Sequence, residues 1–255
     1  KNINEIAKAK AEIMDSIKEH GTIILNRDDK FFNSLYKKAR LKKLKVFTFG
    51  KNKKSDVSLY KVLKKKNLIQ FLFKKDNKKI DLEIKNINIY NVLASLAVMK
   101  VLNLRLNNVK NFFLNFEPTE GRGKLHTIFR YNKSFKLIDE SYNANPLSVK
   151  SAISSFDAIK KKNSKKYLIL GDMLELGRKS EKYHRDLSKV INNSNIDKVF
   201  IRGEKTLFTY KNLHKSKQGN ILQNKDDIDL ILGKIINNND YLMIKGSNAT
   251  GLNVL

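Results

Sequence analysis

The sequence contains no cysteine and no tryptophan, and only two of its 255 residues are proline. The absence of cysteine excludes disulfide bonds, thiolate nucleophiles and cysteine-ligated zinc. The four histidines, at positions 20, 126, 184 and 214, do not have the spacing of metal ligands. Any metal ion in this protein would therefore be a hard cation bound by oxygen atoms.

The sequence also lacks a long apolar run, since no stretch approaches the roughly 18 residues of a membrane-spanning helix. Its first ten residues, KNINEIAKAK, lack the apolar core of a secretory signal. We therefore expect a cytoplasmic protein without a membrane span. The hydrophobic fraction of 41% suffices for one large or two ordinary domains. Because the first residue is lysine, we expect the chain to be part of a longer protein.

No phosphate-binding loop of the pattern G-x-x-x-x-G-K-[ST] occurs in the sequence. Gly50, Gly123 and Gly233 each precede a lysine, but none of these lysines is followed by serine or threonine. If the protein uses ATP, we expect the loop that holds its phosphates to lie outside this sequence.

The formal net charge of +27 raises the question of nucleic-acid binding, since lysine and arginine neutralise phosphates. The lysines occur in every segment rather than in one basic arm, which argues against a specific site. Together with abundant asparagine and isoleucine, they are typical of a proteome-wide bias. We predict no specific nucleic-acid partner, only weak and salt-sensitive adhesion to polyanions.

Helical and strand patterns alternate along the chain and predict an α/β protein. Strand patterns occur at residues 21–26, 45–50, 56–60, 68–73, 79–84, 125–131, 135–139, 167–171, 197–203 and 241–246, with a short one near 220. After residue 118, strands alternate with helices, and this predicts a mostly parallel sheet covered on both faces. Pro118 marks a predicted boundary between two domains, residues 1–117 and 118–255.

Polar clusters follow several of these strands, where ligands of parallel sheets bind. They are NRDD (26–29), DESYNANP (139–146), GDMLELG (171–177) and KGSN (245–248). Each also has a purely structural interpretation, because Asn and Asp are common in turns and N-caps and proline suits the first turn of a helix. We expect His184 to be a packed or capping histidine.

Lys10 falls within the apolar stripe of the first helical pattern, between Ile6 and Ile13. One interpretation is a lysine that extends its ammonium past the core into water, which the pattern alone favours. The other is a lysine whose amine is kept neutral by burial and can react.

Several segments together resemble the Mur ligase family. They are IAKAKAEI (6–13), IILNRDD (23–29), NIYNVLASLAV (88–98), GRGK (121–124), LIDESYNANPLSVKSAI (137–153), LILGDMLELG (168–177) and LMIKGSN (242–248). The resemblance implies that residues 1–117 are the later part of a mixed-sheet central ATPase domain and that a Rossmann-like C-terminal domain follows. It implies ATP and Mg²⁺ as cofactors and a monomeric enzyme.

Within the family, DESYNANP, LGDMLELG and KGS resemble most closely the members that join D-alanyl-D-alanine to UDP-N-acetylmuramoyl-tripeptide in peptidoglycan synthesis. In the implied reaction ATP phosphorylates the tripeptide carboxylate, and the dipeptide amine attacks the acyl phosphate. Because the phosphate loop and the UDP-sugar domain are absent from the sequence, we expect this chain alone to show no ATPase or ligase activity.

The resemblance also implies roles for single residues. Lys10 matches a lysine that similar ligases convert to a carbamate that binds Mg²⁺. This match favours the reactive, buried lysine over the lysine that extends into water. Residues matched to the nucleotide site are Asn88 and Asn91 near the adenine, Arg122 near the nucleotide, and Asp139 and Glu140 near the ribose. Residues matched to the turn and to the incoming dipeptide are Asn143, Asn145, Asp172, Lys245 and Ser247.

Two departures weaken the match. Lys85 and Ile87 stand where the family usually has Gly and His, and Glu140 replaces the more usual Asp.

Two alternative functions stay open. One is another ligase of the family, such as the one that adds the third peptide residue or a folylpolyglutamate synthetase. The other is a non-catalytic module that binds proteins or polyanions.

Overall fold

The computed structural model describes residues 3–63, 68–84, 88–105, 109–160 and 163–252. The chain forms two compact units, Lys1–Phe116 and Glu117–Leu255. Each unit contains one mixed sheet with helices, so the predicted α/β class is confirmed. No helix within the described ranges has the length and apolar character needed to cross a bilayer.

The first unit is built on a five-stranded sheet with the order β1-β2-β3-β4-β5. The strands are β1 (Thr22–Asn26), β2 (Lys45–Gly50), β3 (Val57–Leu63), β4 (Leu68–Phe73) and β5 (Lys78–Glu83). β1 to β3 are parallel, but β3 to β5 pair antiparallel. The last three strands are antiparallel because short connections can join only antiparallel neighbours. The mixed sheet that the family resemblance implies is confirmed.

Four helices belong to the described part of this unit. They are α1 (Ile3–Ala11), which continues as a 3₁₀ turn (Glu12–Ser16), α2 (Phe32–Leu41), α3 (Ile89–Val101) and α4 (Val109–Leu114). α3 buries Leu93 and Leu96 against Phe71 and Leu82 of the sheet. Burial of each such side chain contributes about 1.5–3 kcal/mol. α3 contacts both β1 and β2, and Tyr90 in its first turn reaches Asp28 in the loop after β1.

The first helical segment differs from its prediction. α1 ends at Ala11, and the tighter 3₁₀ turn that follows changes the direction of the later side chains. Of this segment only Ala11 and Met14 are buried. The stripe residues Ile3, Ile6 and Ile13 are exposed by 54%, 45% and 64%. Lys10 is exposed as well, so its expected burial is wrong: helical periodicity places it on an apolar stripe, but no core covers that stripe within the described residues.

The second unit is built on a six-stranded sheet with the order β10-β9-β8-β11-β7-β6. The strands are β6 (Lys124–Arg130), β7 (Lys133–Glu140), β8 (Lys166–Gly171), β9 (Lys198–Arg202), β10 (Gln218–Ile221) and β11 (Tyr241–Lys245). Five strands are parallel, and β6 is an antiparallel edge strand. The expected parallel sheet is therefore confirmed in this unit.

Alternate residues of the central strands enter two cores, one on each face. Leu168 and Leu170 of β8 pack with Ile153 of α5 (Pro146–Ala158) and Leu187 of α6 (Ser180–Asn192). Ile169 points to the other face and packs with residues of α8 (Lys225–Leu230) and the π turn that follows it (Ile231–Ile235). The short helix α7 (Thr206–Tyr210) connects β9 to β10. The two covered faces follow from the uninterrupted apolar runs of these strands.

Candidate functional site

The polar clusters of the second unit meet at one edge of the sheet. β11 lies between β7 and β8, and its register aligns Lys245 with Glu140 on one side and with Leu170 on the other. The carboxyl ends of the three strands are therefore level. The predicted position of DESYN, GDML and KGS at the carboxyl edge is confirmed.

Asp139 connects the GRG loop to the turn that follows β7. Its Oδ2 accepts a hydrogen bond from the Gly121 N–H at 2.9 Å, and its Oδ1 accepts from the N–H and Oγ of Ser141 at 3.0 and 2.6 Å. The Gly123 N–H donates to the Asp139 carbonyl at 2.7 Å, and the Tyr142 N–H donates to the Gly121 carbonyl at 3.1 Å. Both oxygens of the Asp139 carboxylate thus accept hydrogen bonds from backbone N–H groups. These bonds join the GRG loop and the turn after β7 into one element.

The two glycines of the GRG loop are required by this docking. Gly121 and Gly123 have φ angles of +72° and +92°, which favour glycine. A Cβ at Gly121 would lie 2.8 Å from the Tyr142 Cβ, and a Cβ at Gly123 would lie 2.9 Å from the Glu140 Oε1. Arg122, between them, is exposed, and its guanidinium carbon lies 4.3 Å from the centroid of the Tyr142 ring.

Lys245 is the most deeply buried charged group at this edge, with a side chain only 2% exposed. Its Nζ donates to the carbonyls of Asn143 at 2.5 Å and Glu140 at 3.1 Å, and it lies 3.4 Å from the Glu140 Oε2. Burial lowers the pKa of Lys245, and the negative charge of Glu140 opposes that shift. The ammonium is committed to the protein's own turn, and its contact with a dipeptide stays a prediction.

Asp172 and Ser247 fix the loops that follow β8 and β11. The Asp172 carboxylate accepts from the backbone N–H groups of Thr206 at 2.8 Å and Lys205 at 3.2 Å. The Ser247 N–H donates to the Asp172 carbonyl at 3.1 Å, and the Ser247 Oγ accepts from the Leu174 N–H at 3.1 Å. These bonds give both side chains a structural role, and their predicted contacts with the dipeptide stay predictions.

Asn145 is the N-cap of α5. Its side-chain oxygen accepts from the N–H groups of Leu147 and Ser148 at 3.1 and 2.9 Å, and the Ser148 hydroxyl accepts from the Asn145 N–H at 3.1 Å. Pro146 follows as the first residue of the helix. The structural interpretation of Asn145 is therefore confirmed. The side chain of Asn143 is exposed beside it.

His184 is fully buried and holds the loop after β8 against α6. The Met173 N–H donates to its Nε2 at 3.0 Å, so that nitrogen carries no proton. Its Nδ1–H donates to the Ser180 carbonyl at 2.8 Å. The prediction of a packed histidine is confirmed.

In the first unit, polar groups gather where α3 begins. The Asn88 side chain caps α3 by accepting from the Tyr90 N–H at 2.9 Å, and Asn91 is exposed. The Tyr90 hydroxyl donates to Asp28 at 3.2 Å, and the Asp28 carboxylate also accepts from the Lys51 N–H at 2.5 Å. Burial raises the pKa of Tyr90, and the nearby Asp28 carboxylate adds to this rise.

Asp28 lies in the NRDD cluster, but neither Asp28 nor Tyr90 was predicted to have a role of its own. The only available signal was an acid directly after a buried strand, because the partner lies 62 positions away in sequence. The departures at Lys85 and Ile87 lie outside the described residues.

Lys10 lines an open depression on α1 together with Glu5, Ile6 and Ala9. In the part of the chain that the structure describes, no group of three or more acidic or histidine side chains forms a metal site. The carbamate at Lys10 and its Mg²⁺ therefore stay predictions.

Two family models match the chain, the Mur ligase middle domain at residues 1–99 and the Mur ligase glutamate ligase domain at residues 126–248. The chain belongs to the Mur ligase family. Among curated relatives of this Mur ligase chain, the UDP-N-acetylmuramoyl-tripeptide–D-alanyl-D-alanine ligase of Rickettsia prowazekii is 26% identical and aligns with 98% of the chain and 56% of that protein. The ligase of the same name from Bacillus subtilis is 26% identical and aligns with 97% and 53%. The chain thus spans about half the length of these relatives.

Solved structures share the fold of this Mur ligase chain. MurF ligase from Thermotoga maritima in complex with ADP has a TM-score of 0.77 at 20% identity, over 98% of this chain and 55% of that one. MurF from Acinetobacter baumannii has a TM-score of 0.79 at 21% identity, over 98% and 54%. At these identities the likeness concerns the fold.

Proposed function

We propose that this chain is part of an ATP-dependent ligase that joins D-alanyl-D-alanine to UDP-N-acetylmuramoyl-tripeptide for peptidoglycan synthesis. Family membership supports the proposal, as do curated relatives of that name that align with nearly the whole chain. In this proposal residues 1–117 are the later part of the ATP-binding domain and residues 118–255 are the C-terminal domain of a monomeric, cytoplasmic enzyme.

The observation that carries the proposal is the interlock of the GRG loop with the DESYN turn. It presents an exposed guanidinium at the edge of the sheet where ligands of parallel sheets bind. An arginine fork suits the oxygens of a phosphate group. In the first unit, the exposed carboxamides of Asn88 and Asn91 can both donate to and accept from an adenine edge. These residue types fit a nucleotide.

ATP would supply the phosphoryl group that activates the tripeptide carboxylate. Mg²⁺ would offset the negative charge of the transferring phosphoryl group, and a Lys10 carbamate would be one of its ligands. Arg122 would bind an oxygen of the nucleotide phosphates. Asp139 acts chiefly through the loop that it holds, since both of its oxygens bond to protein N–H or O–H groups. Glu140 would reach toward the ribose from the adjacent position.

The dipeptide would bind at the ends of β8 and β11. There the Ser247 hydroxyl, the Asn143 carboxamide and backbone N–H groups offer hydrogen bonds to its carboxylate. Asp172 and Asn145 shape this edge by holding α7 and α5 at their N-termini. Lys245 adds positive potential from below the turn.

Calorimetry of D-alanyl-D-alanine with this chain tests the proposal, with L-alanyl-L-alanine as the matched ligand of equal charge. We expect binding of the D,D dipeptide only, with little change between low and high salt. A module that binds polyanions would bind neither the D,D nor the L,L dipeptide. Its affinity for polyanions would fall steeply with salt. Equal binding of both dipeptides, or of neither, contradicts the proposal. Stronger binding of an amino acid acceptor would favour another ligase of the family.

A further inference from the structure

Tyr142 lies in the DESYN turn, but its side chain has no assigned role. The residue is 51% exposed, and the Arg122 guanidinium carbon lies 4.3 Å from the ring centroid. Within the described residues, the Arg122 guanidinium has no carboxylate at ion-pair distance. The stack on Tyr142 is therefore the contact that orients this guanidinium.

The backbone beneath the stack is held from both sides. The Tyr142 N–H donates to the Gly121 carbonyl, and the N–H groups of Gly121 and Gly123 donate to the side chain and the carbonyl of Asp139. The Cα atoms of Arg122 and Tyr142 are thus kept at a set separation. Only side-chain rotations remain to be restricted, and the stack restricts those of Arg122.

A guanidinium that stacks on an aromatic ring keeps its N–H donors at the rim of its plane, where they can bind an anion. An arginine that is already ordered loses less side-chain entropy when its ligand arrives. We propose that Tyr142 is a positioning residue that orients Arg122 for a phosphate group of the nucleotide. This inference rests on the proposed function, because that function supplies the phosphate.

The chain offers a matched control for the test. Tyr131 is 44% exposed and stacks with Arg130 at 5.0 Å, in the hairpin at the opposite end of β7. The variants are Tyr142→Leu, which removes the stack but keeps the Cβ beside Gly121, Tyr142→Phe, which keeps the ring, and Tyr131→Leu. Arg122→Ala measures the contribution of the guanidinium itself.

Two readouts on the 255-residue chain separate the stack from the binding. The ¹⁵N relaxation of the Arg122 Nε–H reports side-chain order, and calorimetry with ADP reports affinity. We expect Tyr142→Leu to lower the Arg122 order parameter and to weaken ADP binding about two- to fivefold, the range of an exposed cation–π pair. Tyr142→Phe and Tyr131→Leu should match the wild type in both. Backbone amide spectra of all variants check the fold.

An unchanged Arg122 order parameter in Tyr142→Leu overturns the inference, because another group would then orient the guanidinium. An unchanged ADP affinity in a variant with a disordered Arg122 overturns it too. If Arg122→Ala weakens ADP binding while Tyr142→Leu does not, only the inference fails and the nucleotide site stands. If the wild-type chain does not bind ADP, the nucleotide assignment of Arg122 fails together with the positioning role. The relaxation data then still show whether Tyr142 orders the Arg122 side chain.

Discussion

Replacement of Lys245 by methionine removes a buried ammonium while it keeps the apolar stem. The variant loses the hydrogen bonds from Nζ to the carbonyls of Asn143 and Glu140 and the ion pair with the Glu140 carboxylate. Methionine cannot donate to either carbonyl. We therefore expect the Lys245→Met variant to unfold its second unit more easily than the wild type.

The magnitude follows from opposing contributions. Breaking a buried ion pair by removal of one partner costs about 3–5 kcal/mol. The Glu140 side chain is 27% exposed, so water replaces part of the lost interaction. Removal of the ammonium also relieves the desolvation that lowers the pKa of Lys245. We expect a net loss of about 2–3 kcal/mol in the free energy of unfolding.

The lowered pKa also gives this loss a pH dependence. The unfolded chain keeps the Lys245 proton up to its ordinary pKa of 10.5. Between the lowered pKa of the folded state and that value, the unfolded state binds more protons, so the wild type gains stability with rising pH. Methionine does not titrate. The stability difference between wild type and Lys245→Met should therefore widen through this alkaline window and stay constant below it.

Urea unfolding followed by circular dichroism, with hydrogen exchange of β11 peptides to assign the second unit, measures both effects. Lys133→Met is the matched control, because the Lys133 Nζ also donates to two carbonyls, those of Gly233 and Ile236 at 2.7 Å. Glu140→Gln should couple with Lys245→Met in a double-mutant cycle and not with Lys133→Met. A loss below about 0.5 kcal/mol, or a difference that does not change with alkaline pH, would refute this reasoning.

Three further predictions concern residues that fix the site. Asn145→Ala should cost about 0.5–2 kcal/mol in thermal unfolding because α5 loses its N-cap, and Asn145→Asp should retain most of the stability; equal losses in both would contradict the capping role. His184→Leu leaves the Met173 N–H without an acceptor and should cost about 1–3 kcal/mol, with faster hydrogen exchange at that amide, whereas an unchanged rate would argue against the bond. Gly203→Ala places a Cβ against the Asp172 carboxylate at a φ of +118° and should lower the melting temperature; a stable variant would show that this loop shifts freely.

Local patterns in the sequence were sufficient for the elements of the fold and for several of its polar contacts. The apolar runs of β8 and β11 predicted buried strands, since a strand covered on both faces needs apolar side chains on both. Asn145 before Pro146 indicated the start of α5, because capping depends on residues within one turn. The motifs that indicate the Mur ligase family likewise lie within short segments.

Tertiary structure alone decided what depends on distant partners. The insertion of β11 between β7 and β8 brings Lys245 beside Glu140 across 105 positions, and this buries the ammonium under the turn, which no local pattern indicates. Helical periodicity likewise identified the stripe that carries Lys10, but periodicity defines a face and not what covers it. The spacing of residues along the chain determines to which face of a helix or strand a side chain points. Burial and pairing of that side chain depend on which segments fold against each other.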